Sequence, residues 1–245
     1  MKKVFITGAG SAIAHEVCKR YALRKYQFFL VDRDEQKAAA VAKDLLVRGA
    51  DKVWHVARDL TDKNAGIQVV QEAQQVMGSI DLALLAHGYL GDQSKGENDF
   101  EEASKIINVN FTSPSEILTE LTKNSGNKEM TIGVISSVAG DRGRAGNYIY
   151  GSAKGGLAIF ADGLRNRLAS TNIHILTIKP GFVDTPMTKD FDKKGLLWAQ
   201  PDKVAKDIVI AMNKKKDILY TPWFWRYILL IIKHIPEAIF KKMSI

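Results

Sequence analysis

Tyr150 and Lys154, four residues apart in "YGSAK", are a pair that could do proton-transfer chemistry. On a helix that spacing puts both side chains on one face. A free phenol has a pKa of about 10 and exchanges protons poorly near neutrality. A neighbouring ammonium stabilises the phenolate and lowers that value, which would fit the pair for acid–base work. Ser137 lies thirteen residues before Tyr150, at the end of an apolar run, where its hydroxyl can reach the same pocket. A lone Tyr-x-x-x-Lys also arises as an exposed helix pair, so the surroundings decide its meaning.

A second signal is "TGAGSAIA", residues 7–14, directly after the apolar run Val4-Phe5-Ile6. The backbone N–H groups of such a turn, with the positive end of the next helix, attract a pyrophosphate. Gly8 supplies the tight turn and Gly10 further freedom, with Ser11, Ala12 and Ile13 opening the helix. A three-glycine fingerprint would carry its later glycines at Ala12 and Ala14, where alanine adds one methyl each. Some 20 residues on, Asp32 stands where a ribose diol is gripped in dinucleotide-binding folds. A carboxylate there repels a 2′-phosphate and favours NAD(H). Arg33 beside it can hold that phosphate, which keeps NADP(H) open. Asp32 could instead cap the next helix. Asp59-Leu60 is placed to contact an adenine or to cap its own loop.

The elements that must position these residues are legible as alternating runs. Strands are expected at 4–6, 28–31, 53–56, 82–85, 132–135 and 173–178, each short and nearly all apolar. Runs of that kind suit parallel strands covered on both faces. Helices are expected at about 11–25, 34–48, 62–77, 101–123, 148–170 and 202–213. The alternation predicts an α/β Rossmann fold, a doubly wound parallel β-sheet with helices on both faces. It would fill one domain over 1–216, followed by an aromatic and basic extension over 217–245.

Taken together, "TGAGSAIA", "ISSVAG" at 135–140, "YGSAK" at 150–154 and "PGFVDT" at 180–185 resemble the short-chain dehydrogenase/reductase family. The resemblance runs to about residue 190. It implies an NAD(P)-dependent oxidoreductase with Ser137, Tyr150 and Lys154 as catalytic residues. Asn110, in "NVNF", matches the family's fourth catalytic position; taken alone, it would read as a helix-kink hydrogen bond. The resemblance also assigns Pro180, Gly181, Val183 and Thr185 to the nicotinamide end of the cofactor. Where the family often has "NNAG", this chain has Leu85-Ala86-His87-Gly88. Ala86 and Gly88 are expected along the adenosine side. His87 is either a substrate group or a polar packing residue.

A narrower resemblance comes from "LLAHGYLGDQ", "DRGRAGNYIYGSAK" and the last 26 residues. These look like the branch of the family that reduces the 2-keto sugar of a polyprenyl-phosphate-linked pentose, the decaprenylphosphoryl-ribose 2-epimerase reductases. It implies a separate flavin-dependent oxidase as partner, a role in cell-envelope polysaccharide synthesis, and a homo-oligomer (dimer or tetramer). Arg142 and Arg144, in the loop between Ser137 and Tyr150, could pair with a substrate phosphate or be solvated surface groups. A reductase of small soluble carbonyl compounds and a non-catalytic NAD-binding regulator are the alternatives.

The charge balance bears on partners. The net charge is +8, and from Lys214 onward seven Lys/Arg face only Asp217 and Glu237. These cations flank Trp223, Phe224, Trp225 and Tyr227 and the run Ile228–Ile232. Clustering beside an apolar tail argues against nucleic acid as partner. Aromatic residues with nearby Lys/Arg are what an interfacial helix uses, and the run is far short of the roughly 20 residues of a span. Peripheral membrane contact is one expectation; packing at a subunit interface or over the active site is the other. The single Cys18 can form no intrachain disulfide, which suits a cytoplasmic protein. No metal site is expected.

Overall fold

The structure, a computed structural model, describes residues 1–123, 129–192 and 195–243. The chain begins β1 (Lys3–Thr7), α1 (Ala12–Ala22), β2 (Gln27–Asp32), α2 (Glu35–Val47), β3 (Lys52–Ala57), α3 (Ala65–Met77) and β4 (Leu82–Leu85). Three helices follow: α4 (Gln93–Asn98), α5 (Phe100–Ile107) and α6 (Ser113–Lys123). Then come β5 (Met130–Ile135), α7 (Tyr148–Arg167) and β6 (Ile173–Pro180). The last part holds the two-residue strands β7 (Phe182–Val183) and β8 (Trp198–Ala199), then α8 (Pro201–Asn213), β9 (Ile218–Thr221), α9 (Trp225–His234) and α10 (Glu237–Phe240).

Seven strands form one parallel sheet in the order β3-β2-β1-β4-β5-β6-β9. The order reverses between β1 and β4, and at that switch point a crevice opens beyond the strands' carboxyl ends. The expected fold class is therefore what the chain adopts. Six strands were read from the sequence; the seventh, β9, lies inside the segment assigned to the extension and pairs with β6.

The sheet's two faces bury two cores. One joins Val17, Tyr21, Leu45, Ile208 and Met212, from α1, α2 and α8, to Ile6 and Leu30 of the sheet. The other joins Val69, Ile117, Leu121 and Leu157, from α3, α6 and α7, to Phe5, Phe29 and Ile132. The alternation of Ile6 and Phe5 between these two lists is the two-residue period of a strand covered on both sides. Cys18 is fully buried in the first core, and burial raises its thiol well above the ordinary value, so it is an inert packing group.

The single helix expected over 101–123 is broken. Asn108–Thr112 winds as a π-helical turn between α5 and α6. Such a turn admits an extra residue, and here it carries the buried Asn110.

Beyond β9, a third cluster forms. Trp225 and Leu229 of α9 pack on Val138, with Phe182, Tyr220 and Ile232 around them. The indole of Trp225 meets Phe182 edge-on, with centroids 5.3 Å apart. It lies so close to Gly181 that a Cβ there would be 1.8 Å from Nε1. The inner face of the extension is thus bound to the back of the segments that carry Ser137 and Pro180.

Candidate active site

A cavity of about 470 Å³ opens at the switch point. Gly8, Gly10, Ser11, Ala12, Ile13, Asp32, Arg33, Asp59 and Leu60 line one end. Ala86, Gly88, Ser137, Tyr150 and Lys154 line the middle, and Pro180, Gly181, Val183 and Thr185 the other end. The segments after β1, β2 and β3 supply the first group, those after β4 and β5 together with α7 the second, and the end of β6 and the segment after it the third.

The turn after β1 is shaped to receive an anion. Gly8 has φ +68°, and a Cβ on it would sit 2.5 Å from the backbone nitrogen of His87. No side chain caps the N-terminus of α1, so the first N–H groups of that helix point outward without an internal partner. The carboxylate of Asp32 accepts from Gly10 N at 2.8 Å and from Asp34 N at 3.1 Å, which holds the turn against β2. Asp34, not Asp32, caps α2 by accepting from Lys37 N. Asp59 accepts from the N–H and the hydroxyl of Thr61, and those bonds lower its pKa. Free helix N–H groups, a close-set glycine and a carboxylate at the end of β2 are the donor and acceptor set a dinucleotide requires. The methyls of Ala12 and Ala14 do not close the turn: Ala12 lines the cavity and Ala14 is buried beneath it.

Tyr150 and Lys154 face one another across one turn of α7. The Ser137 side chain is close enough to the Tyr150 hydroxyl to stabilise its ionised form. Ser137 Oγ also accepts from Ala139 N at 3.1 Å, which fixes its rotamer. The approach of α7 to this serine turn is backbone against backbone: a Cβ on Gly140 would lie 2.6 Å from Gly155 N. Ser136 Oγ donates to the Lys154 carbonyl at 2.8 Å and ties the two segments from the other side. Glycine at 140 and 155 is what lets the hydroxyl of Ser137 reach the phenol.

The electrostatics run opposite to the expectation for the pair. Burial pushes the Tyr150 phenol up to about 12, with the nearby Ser137 hydroxyl pulling the other way. Burial also pushes the Lys154 ammonium down to about 7. Its Nζ donates to the Ile135 carbonyl at 2.9 Å and lies 5.9 Å from the Tyr150 ring centre. A half-neutral amine at that distance does not offset the desolvation of a phenolate.

Four other predicted residues are placed as follows. His87 lines the cavity, but Nδ1 shares a 2.7 Å hydrogen bond with Thr7 Oγ1 and Nε2 a 3.1 Å bond with Ser113 Oγ. Burial, then the charge of Lys154, pushes it down to about 3. It is a neutral brace between β1 and α6, which answers to the polar-packing reading. Asn110 is fully buried; Nδ2 donates to the carbonyls of Tyr89 and Ile106 and Oδ1 accepts from Tyr89 N. Its side chain bridges the π-turn to the loop after β4. Arg142 requires a correction: it does not line the cavity. Its guanidinium donates to the carbonyls of Ile232 and Ile235, pairs with Glu237 at 3.0 Å and lies over the Phe240 ring. Three of its five N–H groups are directed to the end of α9 and the start of α10, away from the cavity. Arg144 does line the cavity; only its Nη2 has a partner, a 3.4 Å bond to the Val138 carbonyl, and burial lowers its pKa.

Sequence reasoning missed part of the lining. Lys37 and Arg58 stand near Asp32, Phe182, Met187 and Phe191 line the wall with Thr185, and Tyr89 lines it after Gly88. Phe182 stacks on Trp198 at 5.2 Å. Phe182 lay inside the quoted "PGFVDT" and Tyr89 inside "LLAHGYLGDQ"; the others carried no signal.

Comparison with known proteins agrees with this arrangement. The family model described as short chain dehydrogenase matches residues 2–195. An uncharacterised oxidoreductase of Mycobacterium tuberculosis (strain ATCC 25618 / H37Rv) is 32% identical over 243 residues, 98% of this chain and 96% of the relative. One from Streptomyces coelicolor is 28% identical over all of this chain and 96% of the relative. Two crystal structures share the fold. Actinorhodin polyketide ketoreductase with NADPH matches at TM-score 0.80 and 20% identity, over 90% of this chain and 95% of that one. The 3-ketoacyl-(acyl-carrier-protein) reductase of Brucella melitensis complexed with NADH matches at TM-score 0.78 and 22% identity, over 90% and 96%. With the glycine turn, the serine turn and the Tyr-x-x-x-Lys helix meeting in one cavity, the chain belongs to the short-chain dehydrogenase family of oxidoreductases.

Proposed function

We propose that the protein is an NAD(P)-dependent carbonyl reductase whose substrate is the 2-keto sugar of a polyprenyl-phosphate-linked pentose. The observation that carries the reductase reading is the meeting of Ser137, Tyr150 and Lys154 in the cavity that the glycine turn enters. Bound there, a nicotinamide cofactor supplies a hydride to a carbonyl carbon. Ser137 donates to the carbonyl oxygen and stabilises the charge that develops on it. Tyr150, protonated across the whole neutral range, delivers its proton to the same oxygen. Lys154 then supports the phenolate. Asn110 holds the loop after β4 against the end of α5. Gly8, Gly10 and the start of α1 hold the pyrophosphate. Pro180, Gly181, Val183 and Thr185 enclose the reactive ring.

Asp32 favours NAD(H), because its carboxylate sits where a ribose diol would bind. Arg33 and Lys37 in the same end of the cavity support NADP(H) as the second candidate. Arg144, nearly unpartnered at the cavity wall, suits the substrate phosphate. The aromatic side chains Tyr89, Phe182 and Phe191 suit the sugar face and the first isoprene units. A lipid-linked substrate places the reaction at the cytoplasmic side of a membrane, downstream of a flavin-dependent oxidase that makes the ketone. Exposed Phe100 and Ile159, on the packed helices α5 and α7, are where a second copy would seat.

The test is steady-state turnover of NADH and NADPH with the polyprenyl-phosphate keto-pentose and with a panel of small soluble ketones. The proposal expects kcat/KM for the lipid-linked sugar to exceed that of every soluble ketone. Equal or better turnover of soluble ketones rejects the substrate, and cofactor binding without turnover of any carbonyl compound rejects the reductase.

A further inference from the structure

The buried and exposed sides of α9 differ sharply. Trp225 and Leu229 are 3% and 1% exposed and pack on Val138. Trp223, Tyr227, Leu230 and Ile231 are 71%, 57%, 55% and 68% exposed. The spacing 223, 227, 230, 231 places these four on one side of the helix and the short turn that leads into it. Trp223 and Tyr227 meet edge-on at 5.9 Å, so their rings form one apolar ledge. Ile239 and Met243, also exposed, continue the apolar surface through α10. Among the described residues nothing covers it, and no helix is long and apolar enough to cross a membrane.

The charges around the ledge choose its occupant. Arg226 and Lys233 are seven residues apart, hence on one edge of the same helix, and both are exposed. Lys241 and Lys242 are exposed at the end of α10. The one acid of α9 and α10, Glu237, is already paired with Arg142. A second copy of this face would bring two sets of four cations together, which like-charge repulsion opposes. A sheet of anionic headgroups over hydrocarbon matches both the cations and the aromatic ledge.

We propose that the outer face of α9 and α10 seats on the surface of an anionic phospholipid bilayer, with Trp223, Tyr227, Leu230 and Ile231 inserted and Arg226, Lys233, Lys241 and Lys242 at the headgroups. The helix is held at a fixed angle for this by Arg142, whose guanidinium binds the carbonyls of Ile232 and Ile235 and the Glu237 carboxylate. Arg142 belongs to the loop between Ser137 and Tyr150, so the bilayer contact and the catalytic turn are parts of one rigid corner. This inference rests on the surface and not on the substrate: vesicle binding can fail while turnover stands, and the reverse.

The test is co-sedimentation of the full chain with vesicles of pure phosphatidylcholine and of phosphatidylcholine mixed with phosphatidylglycerol. Turnover of a soluble ketone or binding of NADH checks that each variant is folded. The full chain is expected to pellet with the anionic vesicles and to be released by salt. Leu230→Glu/Ile231→Glu is expected to lower the bound fraction at least about tenfold, since it puts charge into the apolar ledge. Arg226→Glu/Lys233→Glu is expected to abolish the preference for phosphatidylglycerol. Three outcomes overturn the proposal. One is no sedimentation with anionic vesicles. Another is sedimentation that neither double variant reduces. The third is a dimer in sedimentation velocity that Leu230→Glu/Ile231→Glu splits, with no vesicle binding.

Discussion

Replacing Lys154 by methionine is expected to make the cofactor-free protein more stable while removing its activity. The side chain is 3% exposed, and burial moves its ammonium from 10.5 to about 7. The sign follows from linkage. Between pH 7 and pH 10.5 the unfolded chain carries a proton at this site that the folded chain has largely shed, so stability rises with pH across that window. A shift of that size corresponds to a cost of about 4 kcal/mol at neutral pH, at about 1.4 kcal/mol per pKa unit. The hydrogen bond from Nζ to the Ile135 carbonyl offsets about 1 kcal/mol of it. Methionine keeps most of the buried volume and loses both effects, a net gain of about 3 kcal/mol. For a chain of 245 residues that is a rise in Tm of about 6 °C. Thermal or urea unfolding of both proteins, without cofactor, would measure it at several pH values. The gap between them should close as pH approaches 10.5. A Lys154→Met protein that is less stable at neutral pH, or a gap independent of pH, refutes the argument that burial dominates this amine.

Three further outcomes follow from other parts of the site. His87 is depressed from 6.5 to about 3, so its contribution is complete above pH 6.5 and is lost as pH falls toward 3. His87→Asn should show a shallower loss of stability across that range, and parallel acid-unfolding curves would contradict this. Gly140→Ala forces a Cβ to within 2.6 Å of Gly155 N, so the serine turn must move from α7. Turnover should fall on the order of 100-fold with circular dichroism little changed, and a kcat near wild type would show that the close approach does not set the Ser137 geometry. Asp32→Ala removes the carboxylate that accepts from Gly10 N, and with it the repulsion of a 2′-phosphate. The NADPH-to-NADH ratio of kcat/KM should rise roughly tenfold, about 1.4 kcal/mol, whereas an unchanged ratio would place cofactor choice elsewhere.

The parts of this fold that were readable were those whose physics is local. Strands covered on both faces leave unbroken apolar runs, and six of the seven could be placed from them. The seventh, Ile218–Thr221, follows three lysines and runs into an aromatic segment, so its apolar stretch read as the start of the extension. The π-turn at Asn108–Thr112 left no mark in the periodicity, because one added residue hardly shifts the pattern of a 23-residue helix. Within the site, each motif alone left its meaning open, and the family resemblance of the set is what joined the glycine turn to Ser137, Tyr150 and Lys154. Neither could give the electrostatics. The ammonium of Lys154 suggested a lowered phenol at Tyr150, but burial governs both groups, and burial is a property of the assembled chain. Arg142 was misplaced for a related reason. Its partners lie 90 to 95 residues onward, on two helices whose docking angle no spacing rule supplies.

On the proposed reading, a protonated Tyr150 beside Ser137 completes hydride reduction of a keto sugar in this cavity. The most direct test is a comparison of wild-type and Tyr150→Phe protein, following NADH consumption on the polyprenyl-phosphate keto-pentose and NADH binding by fluorescence. Expected are turnover by the wild type, a loss on the order of 1,000-fold in the variant, and similar NADH affinity in both. Equal turnover by the two proteins would contradict it.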